Sequence, residues 1–274
     1  MEVHPVYPVV LVFNRDEAFE RPAETLHFWT HEGVEVLAGK DTLGKGTWLG
    51  VSRDGKVAAI LNYWESGEEK ARQNQATLEV GSDAMQGFLT RGDIPLKLLS
   101  SAGYLQPTIA EIWTNRHAYK SFNLIYGDLQ TKEMWHCSHN YSQSWQGIMQ
   151  LPRSFSVSNT VHTTEWEKTS KLQSALQDFL STHTGIFEPQ ELLLMLADCS
   201  YANSLPGIYP EENAIFVKTF EKELGGMVCN KGTVSSTVIL RDVSGNVTVL
   251  ERSFDPSQAQ YSDTTLTFPL TPSL

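Results

Sequence analysis

Apolar positions along the chain follow two periods. Three segments carry short apolar runs separated by turn residues and predict β-hairpins. The first runs through residues 47–52, turns at Arg53-Asp54-Gly55 and returns through 56–63. Gly after Asp takes positive φ without steric cost, which makes this a strong turn signal. The second pairs 122–127 with 133–137, and the third pairs 236–241 with 247–252 around Ser244-Gly245-Asn246. Val9-Val10-Leu11-Val12-Phe13 predicts one more strand near the start. Between the hairpins the period lengthens. Ala84, Phe88 and Leu89 stand at helical spacing, and 94–99 predicts a short helix. Thr108 with Glu111, and Thr164 with Glu167, have capping-box spacing. The second pair precedes the best stripe, Leu172, Ala175, Leu176, Phe179 and Leu180, which stops at His183-Thr184-Gly185. Pro189 opens a helix through Leu192, Leu193 and Leu196. Hairpins with grouped helices predict an α+β layered fold rather than a parallel βαβ sheet. No Pro/Ser-rich linker divides the chain, so one domain over 1–274 is expected, with 65–74 and 199–212 as surface insertions.

Charge narrows the partners. The chain carries 21 Lys+Arg against 32 Asp+Glu, a formal net charge of -11, which disfavours nucleic acid and anionic membrane faces. The three cysteines, Cys137, Cys199 and Cys229, form no CxxC and point to a reducing compartment. No apolar run approaches the roughly 20 residues that span a bilayer. The first residues show no leader pattern, so cytoplasmic residence is expected.

The segment with most chemistry follows the first strand: Asn14-Arg15-Asp16-Glu17. A buried-type strand ends here in four polar groups. Arg15 offers a rigid fork of donors for a carboxylate or oxyanion. In extended chain Asp16 and Glu17 point to opposite sides, so only one shares a site with a given neighbour. The alternative is a structural salt-bridge knot at a strand end. Asn62 ends another apolar strand and is suited to donate to a developing oxyanion, or to form a turn. Asn159 is a second amide donor or part of a helix approach. Gly44-Lys45-Gly46 lacks the GxxxxGK[ST] order and opens a strand, so it is no phosphate loop. His136 and His139 face opposite ways on a strand, with no second pair at zinc spacing, and read as a surface cluster rather than a metal site. Haem ligation by one of them beside Trp135 is a weaker reading. Trp48, Trp113, Trp135 and Trp166 read as core.

These residues resemble the NRDE family, also called the transport and Golgi organization protein 2 family. Asn14-Arg15-Asp16-Glu17 with Arg21-Pro22 looks like its signature. The likeness continues through Gly46–Gly50, Ala58–Tyr63, Phe122-Asn123-Leu124, Ser158-Asn159, Trp166 and 233–240. His4-Pro5-Val6-Tyr7-Pro8 looks like plant members. The family resembles N-terminal nucleophile hydrolases of the cysteine type. That implies an αββα sandwich of two antiparallel sheets flanked by helices. It also implies an amidase chemistry in which an N-terminal Cys attacks while Arg15 and Asp16 (or Glu17) orient it, Asn62 donates to the oxyanion and Asn159 is a second polar contact. Family members usually begin Met-Cys, whereas Glu2 follows Met1 here. The resemblance then implies a first strand missing or shortened, an exposed sheet edge beside 9–13, and no amidase activity from this chain. The expected function is a non-enzymatic handling protein linked to endomembrane and secretory organization and to lipid or haem homeostasis. It would be cytoplasmic with Golgi or mitochondrial association. Its ligand is expected to be apolar with an anionic group, held by Asn14, Arg15, Asn62 and Asn159, with haem as an alternative cargo. The rival is an acyl hydrolase whose full-length form begins Met-Cys.

Overall fold

The computed structural model describes residues 3–69, 88–141, 145–164, 166–200, 209–224, 227–255, 258 and 260–271. Among them are twelve strands: β1 (Val9–Ala18), β2 (Ala23–His31), β3 (Val34–Asp41), β4 (Leu49–Ser52), β5 (Lys56–Asn62), β6 (Phe122–Asp128), β7 (Glu133–His139), β8 (Gly147–Gln150), β9 (Phe220–Leu224), β10 (Met227–Arg241), β11 (Asn246–Asp255) and β12 (Gln260–Pro269). Four α-helices accompany them: α1 (Asp93–Leu99), α2 (Leu105–Thr114), α3 (Glu167–Thr182) and α4 (Pro189–Leu196). They form two antiparallel sheets, an α+β architecture, and the residues group into two compact units.

The first unit comprises Met1–Leu26, Pro152–Ser156 and Glu165–Leu270. Its sheet has the order β1-β10-β11-β12, with β9 paired to β10. One face is apolar where α3 and α4 pack. Leu192, Leu193 and Leu196 of α4 join Val238, Leu240 and Leu250, with Val10, Val12, Leu172, Leu176, Phe179 and Leu180 packed against them. The helical stripe therefore faces the core as its period requires, except that Ala175 is exposed. Burying these side chains is worth on the order of 1.5–3 kcal/mol each when complete.

The second unit comprises His27–Leu151, Val157–Thr164 and Thr271–Leu274. Its sheet runs β2-β3-β4-β5-β6-β7-β8 in sequence order, so every strand pairs with its neighbour in the chain. The helix α1 packs on β4 and β5, with Ile94, Leu96, Leu98 and Leu99 buried.

All three expected hairpins form. The β2–β3 hairpin was not anticipated. It turns at Glu32 (φ 50°) and Gly33 (φ 82°), inside a run too polar to read as strand. β12 was missed because most of its residues are exposed and polar, which removes the apolar signal. Both expected capping boxes are absent. Thr108 lies within α2, whose N-cap is Tyr104, and the N-cap of α3 is Trp166. The Trp166 indole is 2% exposed and donates to Asn213 Oδ1 at 2.9 Å, so tertiary burial rather than a local hydroxyl fixes this helix start. A capping box forms instead at α4, where Glu191 Oε1 accepts from the Glu188 N–H at 2.9 Å. Leu89 bridges to Tyr119 and Phe88 is outside any helix; Ala84 lies outside the described residues, as do parts of 65–74 and 199–212. Trp48 is core like Trp166, whereas Trp113 and Trp135 are half-buried.

Gly44-Lys45-Gly46 is a turn rather than a phosphate loop. Asp41 Oδ1 accepts from the N–H groups of Leu43 (3.1 Å) and Gly44 (2.9 Å), and Lys45 takes φ 55°. Gly46 then meets Gly92 backbone to backbone: a Cβ on Gly46 would lie 2.5 Å from the Gly92 carbonyl carbon. Gly46→Ala is expected to cost about 2 kcal/mol through forced backbone movement. Urea midpoints of the two chains measure it, and a loss within experimental scatter would show that this contact gives way freely.

Candidate functional site

Strand alternation sorts the signature residues of the first unit. Val10 and Val12 pack toward the helices, and so do Asn14 and Asp16. The odd positions Val9, Leu11, Phe13, Arg15 and Glu17 therefore lie on the opposite face. Asn14 donates to the carbonyls of Leu196 (2.9 Å) and Ile215 (2.8 Å), while its Oδ1 accepts from Ser236 Oγ at 2.7 Å. Both amide hydrogens are thus committed, and Asn14 is a clamp on the end of α4 rather than a ligand donor.

A bulge follows at once. Arg15 pairs with Ser235 but Asp16 pairs with Thr233, leaving Val234 without a counterpart in the β1 register. The extra residue brings the Thr233 hydroxyl to Asp16 Oδ1 at 2.6 Å. Burial raises the Asp16 pKa, outweighing the pull of Lys168, Thr233 and Lys231. Burial lowers the pKa of Lys168, although Asp16 and Glu212 oppose it. The Lys168 ammonium donates to the Glu212 carbonyl at 2.7 Å and sits 4.0 Å from the Trp166 ring centre. Glu212 in turn binds Lys222 (2.9 Å) and Lys231 (2.5 Å). Burial alone would raise the Glu212 pKa, but the two ammonium groups hold it low. Three lysines surround two carboxylates here, a local positive excess in an acidic chain. Glu17 caps its own strand end, accepting from the Ala18 N–H at 2.9 Å, with Arg21 at 3.9 Å. Arg15 is half-buried on the other face, across from Ser235.

Asn62 and Asn159 both belong to the second unit, and the structure brings them together. Asn159 Nδ2 donates to the Asn62 carbonyl at 2.6 Å, and the Trp64 N–H donates to the Asn159 carbonyl at 2.6 Å. Asn159 is a tether on the end of β5. Asn62 is exposed. The segment carrying Asn159 is itself held by a residue given no role in the sequence reading. Asn123 donates to the carbonyls of Ser158 (2.9 Å) and Thr160 (2.8 Å) and accepts from His136 Nε2 at 3.1 Å. An amide inside the apolar run Phe122-Asn123-Leu124 was the available signal.

The model of the family described as "Transport and Golgi organisation 2" matches residues 1–256. The chain belongs to that family. It is 33% identical over 269 residues to the "Transport and Golgi organization protein 2 homolog" of Bos taurus, covering 92% of this chain and 90% of the relative. It is 28% identical over 277 residues to the "Transport and Golgi organization 2 homolog" of Mus musculus, covering 96% and 93%. The chain is also similar to the crystal structure of a variant of conjugated bile acid hydrolase from Clostridium perfringens, at 9% identity and TM-score 0.48, covering 97% of this chain and 95% of that one.

In this member of the Transport and Golgi organisation 2 family the histidines are not a surface cluster. His136 and His139 are both fully buried, because aromatic and histidine rings pack over each face of β7. They do occupy opposite faces. His136 meets Trp145 and His162, with ring centres 5.5 and 5.4 Å away, whereas His139 meets His117 and Tyr141 at 5.1 Å each. Neither ring is placed to take a haem iron arriving from solvent. Cys137 is buried and its thiol is pushed up to about 12 by burial, so it is no activated nucleophile. No helix of the described residues is long and apolar enough to cross a membrane.

Two expectations follow from the charges. Burial lowers His136 and His139 to about 3, below the ordinary value of 6.5. The unfolded chain takes up these protons first. Their contribution to stability is therefore present above pH 6.5 and lost as pH falls toward 3, by on the order of 1.4 kcal/mol per pH unit for each ring. His139→Phe should reduce the slope of stability against pH by about one proton between about pH 6 and 4; an unchanged slope would show that His139 is protonated in the fold. For Asp16 the sign is opposite. Its raised pKa makes the folded chain hold the proton longer, so its contribution declines as pH rises above 3.8. Asp16→Asn is expected to match or exceed the parent in stability at about pH 7, and a clear loss there would make the carboxylate a structural ion-pair partner instead.

Proposed function

We propose that the chain is a non-enzymatic handling protein serving endomembrane and secretory organisation, and that it binds an amphipathic molecule bearing an anionic group. The names of its mammalian relatives support the general role. The observation carrying the ligand class is the odd face of β1, where Val9, Leu11 and Phe13 lead directly to the guanidinium of Arg15. An apolar body lying along the first three and an anion on the fourth would match that stripe. Fatty acyl anions and haem, an apolar disc with carboxylates, share this chemistry, and lipid or haem homeostasis is the process this reading places the protein in. With His136 and His139 interior, haem would be held by its carboxylates rather than by its iron.

Calorimetric titration with dodecanoate tests it. The acid is expected to bind, methyl dodecanoate to bind far more weakly, and Arg15→Gln to weaken the acid by about tenfold or more while leaving the melting temperature near the parent's. Equal binding of acid and ester, or an Arg15→Gln chain that simply unfolds, would overturn the assignment of Arg15 as the anion contact.

A further inference from the structure

The sheet face bearing Arg15 changes character along its strands. Cross-strand pairing sets three successive rows. The first is Leu11, Ile239, Val249 and Leu266; the second is Phe13, Thr237, Glu251 and Thr264; the third is Arg15, Ser235, Ser253 and Ser262. An apolar row thus gives way to two rows of hydroxyls and charges, although Ser235 and Thr237 are only 3% and 2% exposed. On β11 the polar groups satisfy one another: Glu251 Oε1 accepts from Ser253 Oγ (2.8 Å) and from the Leu26 N–H (2.7 Å). On β10 they do not. Among the described residues, neither Ser235 Oγ nor Thr237 Oγ1 has a hydrogen-bond partner. Buried hydroxyls without partners are unfavourable, and valine or alanine would fill these positions without that cost.

The two hydroxyls stand two residues apart on one strand and so on one face, and Ser235 lies directly across from Arg15. Together the three side chains present a guanidinium fork and two O–H donors, the complement of an oxyanion. Glu251 pairs with Thr237 on the neighbouring strand, where its Oε1 is held by Ser253 and the Leu26 N–H, and it lies two strands from Arg15, so an anion meets Thr237 from the Arg15 side. We propose that Ser235 and Thr237 form, with Arg15, the head-group site for the carboxylate of an amphipathic acid. The hydroxyls donate to the carboxylate oxygens, and the apolar body runs along the half-buried Phe13 and Leu11. This deepens the proposed function and rests on its assignment of Arg15 as the anion contact.

The test is calorimetric titration of the full chain with dodecanoate, using Ser235→Ala, Thr237→Val, their double variant and Arg15→Gln. Each hydroxyl deletion is expected to weaken the acid about tenfold, with methyl dodecanoate unaffected. Without ligand, Thr237→Val is expected to melt at or above the parent temperature, since an unsatisfied buried group is removed. A lower melting temperature would mean the hydroxyl is bonded within the protein and would overturn the proposal. If Arg15→Gln loses the acid while the double variant keeps full affinity, the hydroxyl site is refuted and the Arg15 reading stands. If the double variant loses the acid but Arg15→Gln does not, the hydroxyls hold the head group without the guanidinium, and the Arg15 reading falls together with the three-residue site proposed here. A parent chain that fails to bind dodecanoate overturns both.

Discussion

The pairing of β1 with β10 is the constraint on which the first unit depends. One strand must serve two faces at once, and a period of two allows it. Even positions bury Val10 and Val12 against α3 and α4 and then present Asn14 and Asp16 to the same side. Odd positions carry Arg15 to the other side. The single extra residue Val234 matters because it changes what Asp16 faces. In continuous register a valine would stand opposite the carboxylate. With the bulge, the Thr233 hydroxyl stands there and bonds it. A slip of one residue would invert every side chain and bury the guanidinium among the helices.

Two asparagines play matching parts in the two units. Asn14 and Asn123 each sit within or just after an apolar strand run, and each spends both amide hydrogens on two carbonyls distant in sequence. A side-chain amide is one of few groups able to satisfy two orphan carbonyls where water is excluded. Asn14 secures the end of α4, and Asn123 secures the segment that brings Asn159 to β5. The residues that carry the family likeness are thus of two kinds. Asn14 and Asn159 act as supports, while Arg15 and Asp16 carry charge into places where charge is costly.

The electrostatic pattern is local rather than global. The whole chain is strongly acidic, yet Lys168, Lys222 and Lys231 converge on Asp16 and Glu212. Glu212 has two ammonium partners and stays ionised, whereas Asp16 has a hydroxyl and more distant lysines. Proximity of charge is therefore unequal between two carboxylates in one cluster, and their pKa values are pushed in opposite directions.

The sequence alone determined the α+β class, the hairpins around residues 53–55, 128–132 and 244–246, the α3 stripe, and the interest of residues 14–17. These rest on local signals: alternation, turn chemistry and helical period, all readable without distant contacts. It misplaced the helix caps at Thr108 and Thr164; at α3, burial of Trp166 against Asn213 outweighed a local hydroxyl. It took His136 and His139 for a surface pair, since alternation tells which face a side chain takes but not what packs over that face. Tertiary structure alone decided that Asn14 is a clamp, that Asp16 meets Thr233, and that Ser235 and Thr237 lack partners among the described residues. Those facts depend on contacts and register between segments about 180 to 220 residues apart. Such register is set by packing over the whole sheet, which no short window of residues contains.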